Sequence, residues 1–157
     1  MPKNFTDCIG LLIKDEGGYV NDPSDSGGET KYGISKRAYP NENISALTYV
    51  RAMVLYKKDY WDAGKCELLP ESIRYIYFDT CVNMGIATAI KILQRTAEIK
   101  DDGIFGKQTI AAAQTIKLKD FAIERIKKYD AIIEANQKNL KFRKGWLARV
   151  ERIVNLK

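Results

Sequence analysis

Apolar residues recur at helical spacing along nearly all of this 157-residue chain, and the one long break in that pattern lies between residues 17 and 33. Within residues 4–16, Phe5, Ile9, Leu12 and Ile13 fall on one helical stripe, which Gly17-Gly18 stops. The stretch from Gly17 to Gly33 is dense in Gly, Asp, Asn and Ser, contains Pro23 and has no usable period. Inside a compact domain so long an interruption is a structured loop or a small irregular hairpin, and such loops often carry function. Helical patterns then resume. A short segment at 34–39 ends at Pro40, and Thr48 can cap a helix over 48–61 that Gly64 closes. Pro70 suits the first turn of a helix over 71–83, and Gly85 separates it from 86–99. A turn at Asp101-Asp102-Gly103 leads to helical segments at 107–116, 118–139 and 142–155. No alternating run supports an extended sheet, and no Pro-, Gly- or Ser-rich linker splits the chain. The expectation is one all-α domain over 1–157, with a long structured loop or small β-hairpin after the first helix.

The chain contains no histidine, which removes His-assisted Ser or Cys nucleophiles and zinc sites built on imidazole. General acid–base work near neutral pH then falls chiefly to carboxylates. Cys8, Cys66 and Cys81 show no CxxC pairing and leave an odd thiol, as expected of buried thiols in a reducing compartment. No metal or cofactor is expected. The N-terminus has no long apolar run after its first residues, so no signal peptide is expected, and no segment approaches the ~20 apolar residues of a membrane span. The net charge of +6 is unevenly placed: residues 117–157 hold 12 Lys/Arg against 5 Asp/Glu, whereas residues 1–116 hold 14 against 15. A basic C-terminal quarter attracts anionic wall polymers or a membrane surface, or is simply a solvated face; no nucleic-acid motif accompanies it.

Helical geometry singles out one carboxylate. At about 100° per residue, Glu16 falls near the centre of the apolar stripe and Asp15 near its edge. Glu16 also ends its helix, where the macrodipole disfavours negative charge. Burial and dipole would both favour its protonated form, the state required of an acid that donates to a leaving oxygen. The alternative is that Glu16 points past the glycines into solvent.

The stretch Glu16-Gly17-Gly18-Tyr19-Val20-Asn21-Asp22-Pro23-Ser24-Asp25-Ser26-Gly27-Gly28-Glu29-Thr30-Lys31-Tyr32-Gly33-Ile34 resembles the signature of the glycoside hydrolase family 108 N-acetylmuramidases, E-G-G-Y-x-N-D-P-x-D-x-G-G-x-T-x-x-G-I, at every fixed position. Further likeness lies in Tyr56-Lys57-Lys58-Asp59-Tyr60-Trp61, in Phe78-Asp79-Thr80-Cys81-Val82-Asn83-Met84-Gly85, and in Asp102-Gly103-Ile104-Phe105-Gly106-Lys107-Gln108-Thr109, the last similar to a peptidoglycan-binding turn. The resemblance weakens after about Gln114, apart from Gly145-Trp146. It implies a lysozyme-like fold with a catalytic half over 1–85 and a peptidoglycan-binding-like helical half over 86–157. It also implies hydrolysis of the β-1,4 bond between N-acetylmuramic acid and N-acetylglucosamine, with Glu16 catalytic. Phage endolysins occur among such enzymes. For a monomeric protein of that kind, made in the cytoplasm without a signal peptide, a holin-type lesion would give access to the wall.

A second carboxylate is expected at Asp25, nine residues after Glu16, with Thr30 fourteen after it. This is similar to the Glu-x8-Asp, then Thr, arrangement of phage-type lysozymes, with one residue fewer before the Thr. Asp25 would activate water or stabilise positive charge on the sugar, and Thr30 would hold the water. Asp22 is the rival, although beside Pro23 it also suits a turn. Tyr19 and Tyr32 either line a saccharide groove or pack in the core. Asp79 and Asn83, four apart on one helix face, either contact substrate or serve structure. Two other readings accompany hydrolysis: a lytic transglycosylase on the same bond, and a non-catalytic wall-binding or secretion-assisting protein.

Overall fold

The computed structural model describes residues 1–22 and 27–156. Among these are seven α-helices, three short π- or 3-10-helical segments and one two-stranded hairpin, so the chain is mostly α. Helix α1, Phe5–Glu16, starts where the Asn4 side chain accepts the Asp7 N–H at 2.9 Å, which satisfies one of the free amides of the first turn. It ends at Gly17, whose φ of 80° turns the chain away. Its stripe of Cys8, Ile9, Leu12 and Ile13 is buried, as the spacing predicts.

Strands β1 (Thr30–Lys31) and β2 (Ile34–Ser35) pair antiparallel, with Thr30 opposite Ser35. Tyr32 and Gly33 join them with φ of 53° and 77°, and two positive φ values are what a type I′ turn demands. Val20 bridges to Thr30 through a reciprocal pair of backbone hydrogen bonds of 2.7 and 2.8 Å. The segment leaving α1 is thereby folded back onto the hairpin. Residues 34–39 were expected to be helical; Ile34–Ser35 is a strand instead, because the turn before it aligns these residues with β1.

Thr48 caps α2, Tyr49–Tyr56, by accepting from Arg51 N–H at 3.1 Å. The helix runs on as a π-helical turn, Lys57–Asp62. Helix α3, Glu71–Met84, is the centre of the molecule: Tyr75, Ile76, Tyr77, Phe78, Asp79, Thr80 and Cys81 are consecutive and all buried. A helix covered on every side has no polar face, and so it loses the amphipathic pattern of its neighbours. Against it pack α4 (Ile86–Thr96), α6 (Leu118–Ala135) and α7 (Arg143–Val154), and α5 (Lys107–Ala113) packs on α4. Trp61 packs edge-on against Phe78 at 5.2 Å and lies in the core, with its indole N–H donated to Glu67 at 3.1 Å. Cys8, Cys66 and Cys81 are free and buried. Among the described residues no helix is long and apolar enough to cross a membrane.

The turn at Asp102–Thr109 is organised by Gln94, a buried side chain of α4. Its amide nitrogen donates to Asp102 Oδ1, Ile104 O and Thr109 Oγ1 at 2.9–3.1 Å, and its carbonyl accepts from Gly103 N–H at 2.9 Å. Asp102 and Thr109, the polar positions of this likeness to a peptidoglycan-binding turn, are thus spent on holding a turn together.

Candidate active site

Glu16 stands at the meeting point of α1, the hairpin and α7. Its side chain is 23% exposed, little different from the 26% of Asp15, so burial alone does not separate the two carboxylates. Their partners do. Asp15 faces the exposed Arg152 at 3.5 Å, whereas Glu16 Oε1 accepts a 2.6 Å hydrogen bond from Arg149 Nη2. Both arginines come from the C-terminal half of α7, and they tie it to the C-terminus of α1.

Arg149 is held from behind. Its Nε donates to both oxygens of Asp79 at 3.0 and 3.1 Å, and the same Nη2 that reaches Glu16 lies 2.8 Å from Asp79 Oδ1. Asp79 is fully buried and has a second guanidinium, Arg125 Nη1, at 2.7 Å from Oδ2. Burial would raise the Asp79 carboxyl, but the charges of Arg125 and Arg149 outweigh it and hold the group below its ordinary value. Burial likewise works against the charge on Arg149, and Asp79 and then Glu16 more than restore it. Two cations and two anions thus balance when Glu16 is ionised, and one positive charge is left over when it is protonated. Arg125 donates further to the Tyr129 hydroxyl at 3.0 Å, and Tyr129 donates to Asn83 Oδ1 at 2.6 Å.

The other side of Glu16 is set by Gly33. A Cβ on this residue would lie 2.9 Å from Glu16 Cβ and collide with the Tyr56 hydroxyl, so only glycine lets the hairpin turn approach so closely. Tyr56 donates its hydroxyl to the Tyr32 carbonyl at 2.9 Å. Burial first, and then the nearby charge of Glu16, push the Tyr56 phenol upward and keep it a donor.

The expected site residues fall into five groups. The hairpin that carries Thr30 and Tyr32 meets Glu16 at Gly33, and Thr30 Oγ1 donates to Gly28 O at 3.5 Å. Tyr19 is 46% exposed and donates its hydroxyl to Glu29 at 2.8 Å across the loop, where it presents a face to solvent rather than to the core. Asp25 lies outside the described residues, and Asp22 is described and exposed. Asp79 does not line the surface as a substrate contact: sealed beneath Arg149, it supports the site instead. Asn83 is exposed, but its oxygen is taken by Tyr129 rather than by backbone at Gly85. Arg149, Arg125 and Tyr56 were not singled out from sequence. Tyr56 belonged to a segment noted for its likeness, but Arg149 is one of 12 cations in the last quarter and carries no local mark. Two of those cations, Arg125 and Arg149, face inward, so the basic quarter is not wholly a solvated face. No cluster of potential metal ligands occurs among the described residues.

Comparison with known proteins places this geometry in context. Residues 9–85 match the family described as Glycosyl hydrolase 108, and residues 88–151 match one described as Predicted Peptidoglycan domain. Among solved structures, Brucella abortus SagA is 28% identical with a TM-score of 0.79, over 95% of this chain and 90% of that one. No curated protein matches the sequence.

Proposed function

We propose that this chain, a glycosidase by the match of residues 9–85 to the glycosyl hydrolase 108 family and joined to a peptidoglycan domain over residues 88–151, hydrolyses the β-1,4 bond between N-acetylmuramic acid and N-acetylglucosamine with Glu16 as general acid. The observation that carries this reading is the pairing of Glu16 with Arg149 at the edge of the hairpin. Glycoside cleavage needs a carboxyl that gives up its proton as the leaving oxygen departs. Arg149 meets the negative charge that then develops on Glu16, and Asp79 and Arg125 keep the guanidinium in place, so no reorganisation is required at the moment of transfer. Asp25 is the proposed partner that activates water or stabilises the oxocarbenium ion, with Asp22 as its rival. Thr30, one strand residue from the turn that touches Glu16, is assigned to the water, and Tyr19 and Tyr32 to the saccharide groove.

In this reading residues 1–85 and 86–157 act as one unit, because Glu16 comes from the first and its guanidinium from the second. The protein works as a monomer on the wall, in the manner of an endolysin. The test is digestion of purified peptidoglycan beside Glu16→Gln. New reducing ends from the parent protein and none from the folded variant are expected. Products lighter by one water would reassign the chemistry to a lytic transglycosylase, and full activity of Glu16→Gln would remove Glu16 from the mechanism.

A further inference from the structure

The charge layer beneath Glu16 has a neighbour one helical turn away. Asn83 follows Asp79 by four residues on α3, Tyr129 follows Arg125 by four on α6, and Trp146 precedes Arg149 by three on α7. These spacings put the second set about 5 Å along the same helices, on the same faces. The rings of Trp146 and Tyr129 stack at 4.6 Å and 17°, and the Tyr129–Asn83 hydrogen bond ties α6 to α3. Together with Thr88, Lys128 and Asn139 they line an open cavity of about 200 Å³.

The lining is chemically one-sided. Lys128 is its only charged member among the described residues, and no carboxylate borders it. Lys128 Nζ, Trp146 Nε1 and the Asn139 side chain make no hydrogen bond or ion pair among the described residues, whereas Asn83 has only its oxygen committed. Met84 and Ile132 supply an apolar floor. Unspent donors and one cation around an apolar floor suit a ligand that is acidic, rich in carbonyls and bears methyl groups. A neutral N-acetylglucosamine unit does not use the cation. The peptide attached to muramic acid through its lactyl group offers carboxylates, amide carbonyls and methyls.

We propose that this cavity is a subsite for the acidic stem peptide of the muramic acid unit. It would hold the peptide one helical turn from the Arg149–Glu16 pair while the sugar chain lies across Glu16. The assignment rests on the reading of Glu16 as the catalytic acid. Its consequence is that the peptidoglycan half selects peptide-bearing glycan, beyond supplying Arg149.

The indole N–H resonances of folded Glu16→Gln provide the test. Trp61 is buried with its N–H on Glu67, so it serves as the internal reference for Trp146. Titration with an N-acetylglucosamine–N-acetylmuramic acid disaccharide carrying its peptide is expected to move the Trp146 signal. The same disaccharide stripped of peptide is expected to move it far less. Lys128→Glu should weaken the peptide-bearing ligand about tenfold more than the stripped one, with Lys128→Gln between. Equal responses to the two ligands, or equal affinities across the Lys128 variants, would overturn the subsite. If Glu16→Gln remained fully lytic, the catalytic assignment would fall while the titration still decided the cavity's ligand. A dead Glu16→Gln with a motionless Trp146 would remove the subsite alone.

Discussion

Replacing Arg149 by methionine keeps an unbranched apolar stem and deletes the guanidinium, leaving two carboxylates without their shared cation. Asp79 loses hydrogen bonds of 3.0, 3.1 and 2.8 Å but keeps Arg125 at 2.7 Å, and Glu16 loses its 2.6 Å contact. Removing one partner from a buried ion pair costs about 3–5 kcal/mol, and the retained Arg125 places this case at about 3 kcal/mol. For a domain of this size each kcal/mol moves the melting temperature by about 2–4 °C, so a drop of about 6–12 °C is expected by calorimetry. Catalysis should fall further than stability. If Arg149 stabilises charge that appears on Glu16 only as the proton leaves, kcat should drop about a hundredfold below the melting transition, with KM little changed. A folded variant with unchanged kcat would refute the electrostatic role of Arg149.

Gly33→Ala should cost about 1–2 kcal/mol from its φ of 77°, and activity should fall more than the melting temperature implies, because the new methyl meets Glu16 and Tyr56 directly. Full activity in a wall-lysis assay would mean that the hairpin turn does not position the acid. The Asp79 carboxyl is depressed in the folded state, so its contribution is complete above its unfolded value of about 3.9 and is lost as pH falls through the folded value. Urea midpoints should hold steady from neutral pH and then drop in acid; Asp79→Asn should be less stable at neutrality and show a shallower acid slope. The basic C-terminal quarter predicts that lysis of isolated walls slows as salt shortens the Debye length from about 30 Å at 0.01 M to about 8 Å at 0.15 M. A flat salt profile would remove steering by that face.

Local rules made most of the helical skeleton legible in the residues alone. Gly17, Thr48, Pro70 and Gly85 mark ends through hydrogen bonds and dihedral limits that act over a few residues, and the stripe of Ile9, Leu12 and Ile13 reports which face is covered. The same local reading brought out Glu16 and the irregular stretch behind it. It read residues 34–39 as helix because a strand formed by two residues leaves no period to detect, and pairing with β1 decided the matter. It set Glu16 apart from Asp15 by their places on the helical stripe, a difference that burial does not reproduce. Their exposures are nearly equal, and the distinction lies in Arg149, which reaches Glu16 across 133 residues of sequence and Asp79 across 70. Periodicity and capping are short-range physics, so they reveal what a segment becomes. Which charges face one another depends on how α1, α3, α6 and α7 pack, and that packing placed the cation on the acid.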